Sequence, residues 1–293
     1  MSAWKHLISK TGVFGCSENS DSGYAILGIP LDQATTYKPG TRFAPQSIRN
    51  AACNIEFYSM YTDMDIERIG FYDLGDIVVS PGDLVESFKR ISYVVGHVIR
   101  EYSDKIIYFL GGEHSISYPI LKSMIDEVDT IVVFDAHSDM RDEYLGSKYN
   151  HATVMRRIVE EFEKQLILIG VRAISSEEIE FIRRNESIVA YTSMDIVRGK
   201  IPNLPIRGNV YISIDMDVID PSYAPGVDNP EPLGITPYNL LDILYRVINK
   251  ANRVVALDLV EVNPLVDVND ITSILASKIL IEATGILEKK RSR

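Results

Sequence analysis

Cysteine is scarce: the 293-residue chain has two, Cys16 and Cys53. Two thiols give no disulfide framework, and free cysteines in a reducing cytoplasm are expected. Long apolar runs are missing too; none reaches the roughly 18 residues of a spanning helix, so no membrane partner is expected. The opening MSAWKHLISKTGVFG lacks the apolar core of a secretory signal. Nor is there a surplus of positive charge. Lys and Arg total 30 against 41 Asp and Glu, a formal net charge of −11. Nucleic-acid binding requires clustered basic residues and is not expected, whereas approach of small cations is favoured. Repeats, low-complexity stretches and long linkers are also missing, and one domain over residues 1–293 is expected.

What is present is an alternation of short aliphatic runs and helix-period segments. Strands are expected at Tyr24–Ile29, Ile69–Asp73, Ile106–Leu110, Thr130–Phe134, Leu166–Ile169, Ile188–Tyr191, Val210–Ile214 and Val254–Leu259. Near-continuous β-branched and aliphatic runs are the pattern of parallel strands buried on both faces. Helices are expected at Asp83–Glu101, Ser175–Arg184, Thr236–Asn249 and Thr272–Leu287, with Asp83 as an N-cap and Ser175 with Glu178 as a capping box. This order implies an α/β fold with a doubly wound parallel sheet, whose ligands bind beyond the carboxyl ends of the strands.

Three expected strands run directly into His and acid. His114 follows the first, Asp135, His137 and Asp139 follow the second, and Asp215 and Asp217 follow the third. In extended chain, alternate residues project to one side, so these groups converge while Ala136, Ser138 and Met216 turn away. Four carboxylates this close repel one another and are costly to bury unpaired. Two divalent cations would neutralise them. Oxygen-rich ligation with two imidazoles and no thiolate suits Mn²⁺, with Zn²⁺, Fe²⁺ or Co²⁺ as chemical alternatives, and water shared by two metals is acidified into a nucleophile.

These segments resemble the ureohydrolase family of arginases and agmatinases. The matching pieces are Gly111-Gly112-Glu113-His114-Ser115, Asp135-Ala136-His137-Ser138-Asp139, Ser213-Ile214-Asp215-Met216-Asp217-Val218-Ile219-Asp220-Pro221 and Asp258-Leu259-Val260-Glu261-Val262-Asn263-Pro264. The segment from Gly40 to Arg49 also looks like agmatinases. The resemblance implies a three-layer α/β/α sandwich with an eight-stranded, mainly parallel sheet, two Mn²⁺ per subunit and a homotrimer or homohexamer. It implies that one metal takes His114, Asp135, Asp139 and Asp215, and the other His137, Asp135, Asp215 and Asp217, with Asp135 and Asp215 bridging.

By the same resemblance Glu261 holds a cationic guanidino substrate, Asp139 passes a proton to the leaving amine, and His151 contacts substrate and shuttles protons. The implied activity is hydrolysis of agmatine to putrescine and urea by a metal-bridging hydroxide. Alternatives are an arginase, a 4-guanidinobutyrate ureohydrolase, a one-zinc deacetylase of related fold, or an inactive regulatory homologue. Glu113 stands where many members have Asp, at no ligand position. Pro225-Gly226-Val227-Asp228-Asn229-Pro230 replaces the usual Pro-x-Thr-Gly-Thr-Pro, and the family's Thr contact to the guanidinium falls at Val227, which has no hydroxyl.

Overall fold

Aliphatic runs with no polar face must be covered on both sides. In the computed structural model, which describes residues 3–200 and 203–293, they form one nine-stranded sheet. Its strands are β1 (Ile8–Ser9), β2 (Tyr24–Ile29), β5 (Tyr72–Ile77), β6 (Ile106–Gly111), β7 (Thr130–Phe134), β8 (Gln165–Val171), β9 (Ile188–Thr192), β10 (Val210–Asp215) and β11 (Val254–Val260); β3 (Tyr58–Ser59) and β4 (Met64–Asp65) pair separately. The spatial order is β1-β5-β2-β6-β11-β10-β7-β8-β9. Every pairing in the large sheet is parallel except that of the short edge strand β1 with β5. The expected eight-stranded sheet is therefore present, with β1 added.

The helices are α1 (Ala44–Ala52), α2 (Leu84–Glu101), α3 (Ser117–Met124), α4 (Val154–Phe162), α5 (Ser176–Arg184), α6 (Ser193–Val197), α7 (Pro237–Lys250) and α8 (Ile271–Arg291). Two apolar cores lie on opposite faces of the sheet. One receives Ile48 of α1, Leu244 of α7 and Leu280 of α8; the other receives Ile91 of α2, Ile120 of α3 and Ile158 of α4. The result is three layers. Asp83 caps α2 by accepting the Glu86 N–H at 2.9 Å, and Ser175 with Glu178 closes the capping box of α5.

Two expectations are corrected. Cys16 and Cys53 are not free thiols but form a disulfide, their Cα atoms 5.1 Å apart across 37 residues of sequence. The turn Phe14–Cys16 packs against α1, and Cys53 is the cap that ends that helix. Sequence spacing carries no sign of that proximity. The strand expected at Ile69–Asp73 lies later, at Tyr72–Ile77, and carries Asp73 and Asp76 into the interior. An apolar pattern cannot find such a strand, because its charges are answered from another element. Arg49 of α1, 1% exposed, donates from Nε to Asp73 at 2.8 Å and from Nη1 to Asp76 at 2.6 Å.

Candidate metal centre

Four neighbouring strands, β6, β11, β10 and β7, end level with one another and deliver the residues singled out above. β6 continues through Gly111 and Gly112 to His114. A Cβ on Gly112 would lie 1.9 Å from the Leu31 carbonyl oxygen, so only glycine lets this chain pass so close to the next loop. β7 leads to Asp135, β10 ends at Asp215, and Glu261 follows β11.

The residues converge, but not as an extended chain. Asp139 has φ 54°, a left-handed turn that redirects the segment after Asp135, and Met216–Val218 is a 3-10 turn. Asp215 caps that turn by accepting the Asp217 N–H at 2.9 Å. Turn geometry rather than strand alternation therefore gathers the donors. Ala136 and Met216 are fully buried, and Ser138 donates to Glu178 at 2.7 Å.

Two groups of possible ligands result. His114 Nδ1 lies 3.1 Å from Asp135 Oδ2, 3.0 Å from Asp139 Oδ2 and 3.3 Å from Asp215 Oδ2. His137 Nδ1 lies 2.8 Å from Asp217 Oδ2 and 3.6 Å from Asp135 Oδ1. Asp135 thus offers one oxygen to each group. Asp215 faces the first group through Oδ2, while its Oδ1 is engaged by the Asp217 amide. His114 Nδ1 and Asp135 Oδ2 are buried with no hydrogen-bond partner. A donor set of carboxylates and imidazoles with orphaned atoms turned towards one another fits divalent cations.

The ligand orientations are fixed from behind. Ser213 donates to Asp258 at 2.5 Å, so its oxygen is left to accept from His114 Nε2 at 3.0 Å. When the ring is neutral, this places its proton on Nε2 and turns the Nδ1 lone pair inward. Asp258, itself fully buried, also accepts from Ser117 at 2.7 Å and from Tyr211. Burial, together with the Asp135 charge, raises the Asp139 carboxyl to about 7. Burial and then the charges of Asp217 and Asp135 push Asp215 well above the usual carboxylate range. Burial opposes charge on His114, but its three carboxylate neighbours prevail and hold it high.

Glu261 is 3% exposed at φ 65°, with Oε1 accepting the His114 N–H at 2.5 Å and Oε2 unpartnered. Burial and then the Asp228 and Asp215 charges raise its carboxyl well above normal. His151, also buried, has its Nε2 3.3 Å from the Thr36 hydroxyl and its Nδ1 unpartnered. Burial lowers its pKa to about 4. A cavity of about 330 Å³ opens above the cluster, walled by His137, Asp139, Arg141, His151, Asn229 and Glu231 among others. Val227 is not in this wall; it is buried in the core, and Asn229, two positions on, faces the cavity.

Residues 22–285 match the arginase family model. The chain belongs to the arginase family. Among its relatives, the agmatinase of Pyrococcus horikoshii is 36% identical over 269 residues, 91% of this chain and 92% of that one. The N(1)-aminopropylagmatine ureohydrolase of Thermococcus kodakarensis is 33% identical over 279 residues, 94% of this chain. The agmatine ureohydrolase structure from Thermoplasma volcanium superposes with a TM-score of 0.82 at 35% identity, covering 100% of this chain and 99% of that one. This arginase-family chain is accordingly a ureohydrolase, a hydrolase of linear amidine C–N bonds.

Several supporting residues of the arginase-family site escaped sequence reasoning. Glu113, at no ligand position, is fully buried and accepts the Gln33 and Ala34 amides, each at 2.7 Å, pinning the loop that carries Thr36 to His151. Glu178, legible as a capping-box acid, also reaches Ser138 and the Met140 amide at 3.1 Å on either side of Asp139. Arg172 donates to the carbonyls of Asp217 at 2.7 Å and Glu231 at 2.8 Å, tying a ligand turn to the cavity wall. Glu113 lies in the Gly-Gly-Glu-His-Ser segment and Glu178 in a capping box, but their ties to the site are visible only once the loops are side by side.

Proposed function

We propose that the chain is an agmatinase, cleaving agmatine into putrescine and urea at a two-manganese centre. One observation carries this reading: six possible donors converge around Asp135, and Glu261, whose Oε1 accepts the His114 N–H, keeps an unpartnered Oε2 beside them. His114, Asp135, Asp139 and Asp215 would hold one ion and His137, Asp135, Asp215 and Asp217 the other. Bound there, the ions would supply acidified water and charge stabilisation for attack on the guanidinium carbon.

Glu261 binds and orients the guanidinium through charge-assisted hydrogen bonds at Oε2. Asp139 accepts the proton of the attacking water and returns it to the leaving amine. His151, neutral at pH 7 because burial lowers its pKa to about 4, relays a proton through Nδ1 to the cavity. Assembly as a homotrimer or homohexamer and a place in polyamine synthesis belong to the same reading.

The tail of the substrate is read by the cavity wall. Glu231 there favours an ammonium. Asp142 does not contribute, since it is committed to Arg157 at 2.7 Å. By the resemblance, arginases carry Asn where this chain has Arg141 and Tyr149, and the loss of those donors disfavours an α-carboxylate. One observation supports a second reading: Arg141 lines the same cavity, packed over Tyr144, and suits the carboxylate of 4-guanidinobutyrate or arginine. Urea release from the three substrates by Mn²⁺-loaded protein separates them. Agmatine is expected to have the higher kcat/KM by at least about tenfold; equal rates, or a preference for either acid, would overturn the agmatinase assignment.

A further inference from the structure

Behind the cage lies a carboxyl that the mechanism above does not use. Asp228 is 1% exposed, and it occupies the glycine position of the usual Pro-x-Thr-Gly-Thr-Pro pattern. Its loop is firmly tied. The Gly226 N–H donates to Thr272 Oγ1 at 2.7 Å, and the Gly226 carbonyl accepts the Asn263 N–H at 2.7 Å. Val227 pairs antiparallel with Val262, so the next positions along that pairing are Asp228 and Glu261. That pairing sets the two carboxyls beside one another, while Glu261 Oε2 has no hydrogen-bond partner.

Asp228 is otherwise met only by its neighbour Asn229, through the backbone N–H at 2.8 Å and Nδ2 at 3.3 Å. Among the described residues no Lys or Arg forms an ion pair with either acid. Two adjoining buried carboxyls without a cation are costly, and one carboxylate cannot occupy all the donors of a guanidinium.

We propose that Asp228 is a second carboxyl contact for the substrate's guanidinium, which it shares with Glu261 across the Val227–Val262 pairing. The inference rests on the ureohydrolase reading. It makes the pocket selective for a charged head group, because a neutral one would leave two acids uncompensated. Asp228 touches the head of the substrate and not its tail.

The test uses guanidinium ion, which has a head and no tail. Mn²⁺-loaded wild type, Asp228→Asn and Asp228→Gly are compared for guanidinium binding by calorimetry, KM for agmatine, and metal content. Both variants are expected to keep their metals, to bind guanidinium at least about tenfold more weakly, and to raise KM for agmatine by a similar factor. Unchanged guanidinium affinity, a loss seen with agmatine alone, a loss in Asp228→Asn but not in Asp228→Gly, or a fall in metal content would each overturn the proposal. Were the wild type to bind guanidinium in an Asp228-dependent way yet release no urea from any guanidino substrate, the agmatinase reading would fail and this contact would stand.

Discussion

Two clusters of buried charge sit on one sheet and are built in opposite ways. Around Arg49 the charges close on themselves. The guanidinium meets Asp73 through Nε at 2.8 Å and Nη2 at 3.0 Å, and Asp76 through Nη1 at 2.6 Å. The remaining carboxylate valences go to the Phe14 and Gly75 amides and to the Thr11 hydroxyl. At the ends of β6, β11, β10 and β7, four aspartates and Glu261 face two imidazoles, and among the described residues no Lys or Arg forms an ion pair with them. His114 Nδ1, Asp135 Oδ2, His151 Nδ1 and Glu261 Oε2 all lack partners. A cluster that satisfies itself holds a fold together, whereas one that does not is held together by the fold and awaits cations.

The comparison breaks first at Arg49. Arg49→Met leaves two buried carboxylates without their counter-charge and is expected to cost about 3–5 kcal/mol. Urea denaturation would read that loss. A loss under about 1 kcal/mol would place Arg49 among the weakly contributing pairs instead.

His151 sharpens it next. Its folded pKa, about 4, lies below the unfolded value of about 6.5, so the unfolded chain binds the proton more readily between them. The neutral imidazole's contribution is fully present above about pH 6.5 and is lost as pH falls towards about 4. Wild type relative to His151→Asn is therefore expected to lose up to about 3 kcal/mol between pH 7 and pH 4. Parallel stability curves for the two proteins across that range would contradict the shift.

The smallest effect is expected at Asp215. Burial and the charges of Asp217 and Asp135 raise its carboxyl, so above about pH 4, where the unfolded chain gives up this proton and the fold keeps it, the chelator-treated protein is weakened. Asp215→Asn is expected to stabilise that protein by on the order of 1 kcal/mol at pH 7 while lowering manganese affinity. Destabilisation in chelator would show that the acid is balanced within the protein after all.

The same contrast explains what was legible beforehand. Seven of the eight parallel strands were readable from their short apolar runs. The exception in placement was β5, whose Asp73 and Asp76 look like loop residues until Arg49 is set beside them. The residues that the structure gathers at the candidate centre were traceable in the sequence because each lies at or shortly beyond the end of β6, β7, β10 or β11. Their geometry was not: the left-handed Asp139 and the 3-10 turn after Asp215 leave no periodic trace. The Cys16–Cys53 bridge, the Glu113 clamp and the Asp228–Glu261 pairing depend on contacts across 37, 80 and 33 positions, beyond any local pattern.

Urea release from agmatine, followed together with metal content through chelation and Mn²⁺ re-addition, tests the central claim most directly. Activity is expected to vanish as metal is withdrawn and to return as two Mn²⁺ per chain are bound. Full urea release with metal confirmed absent would contradict the account.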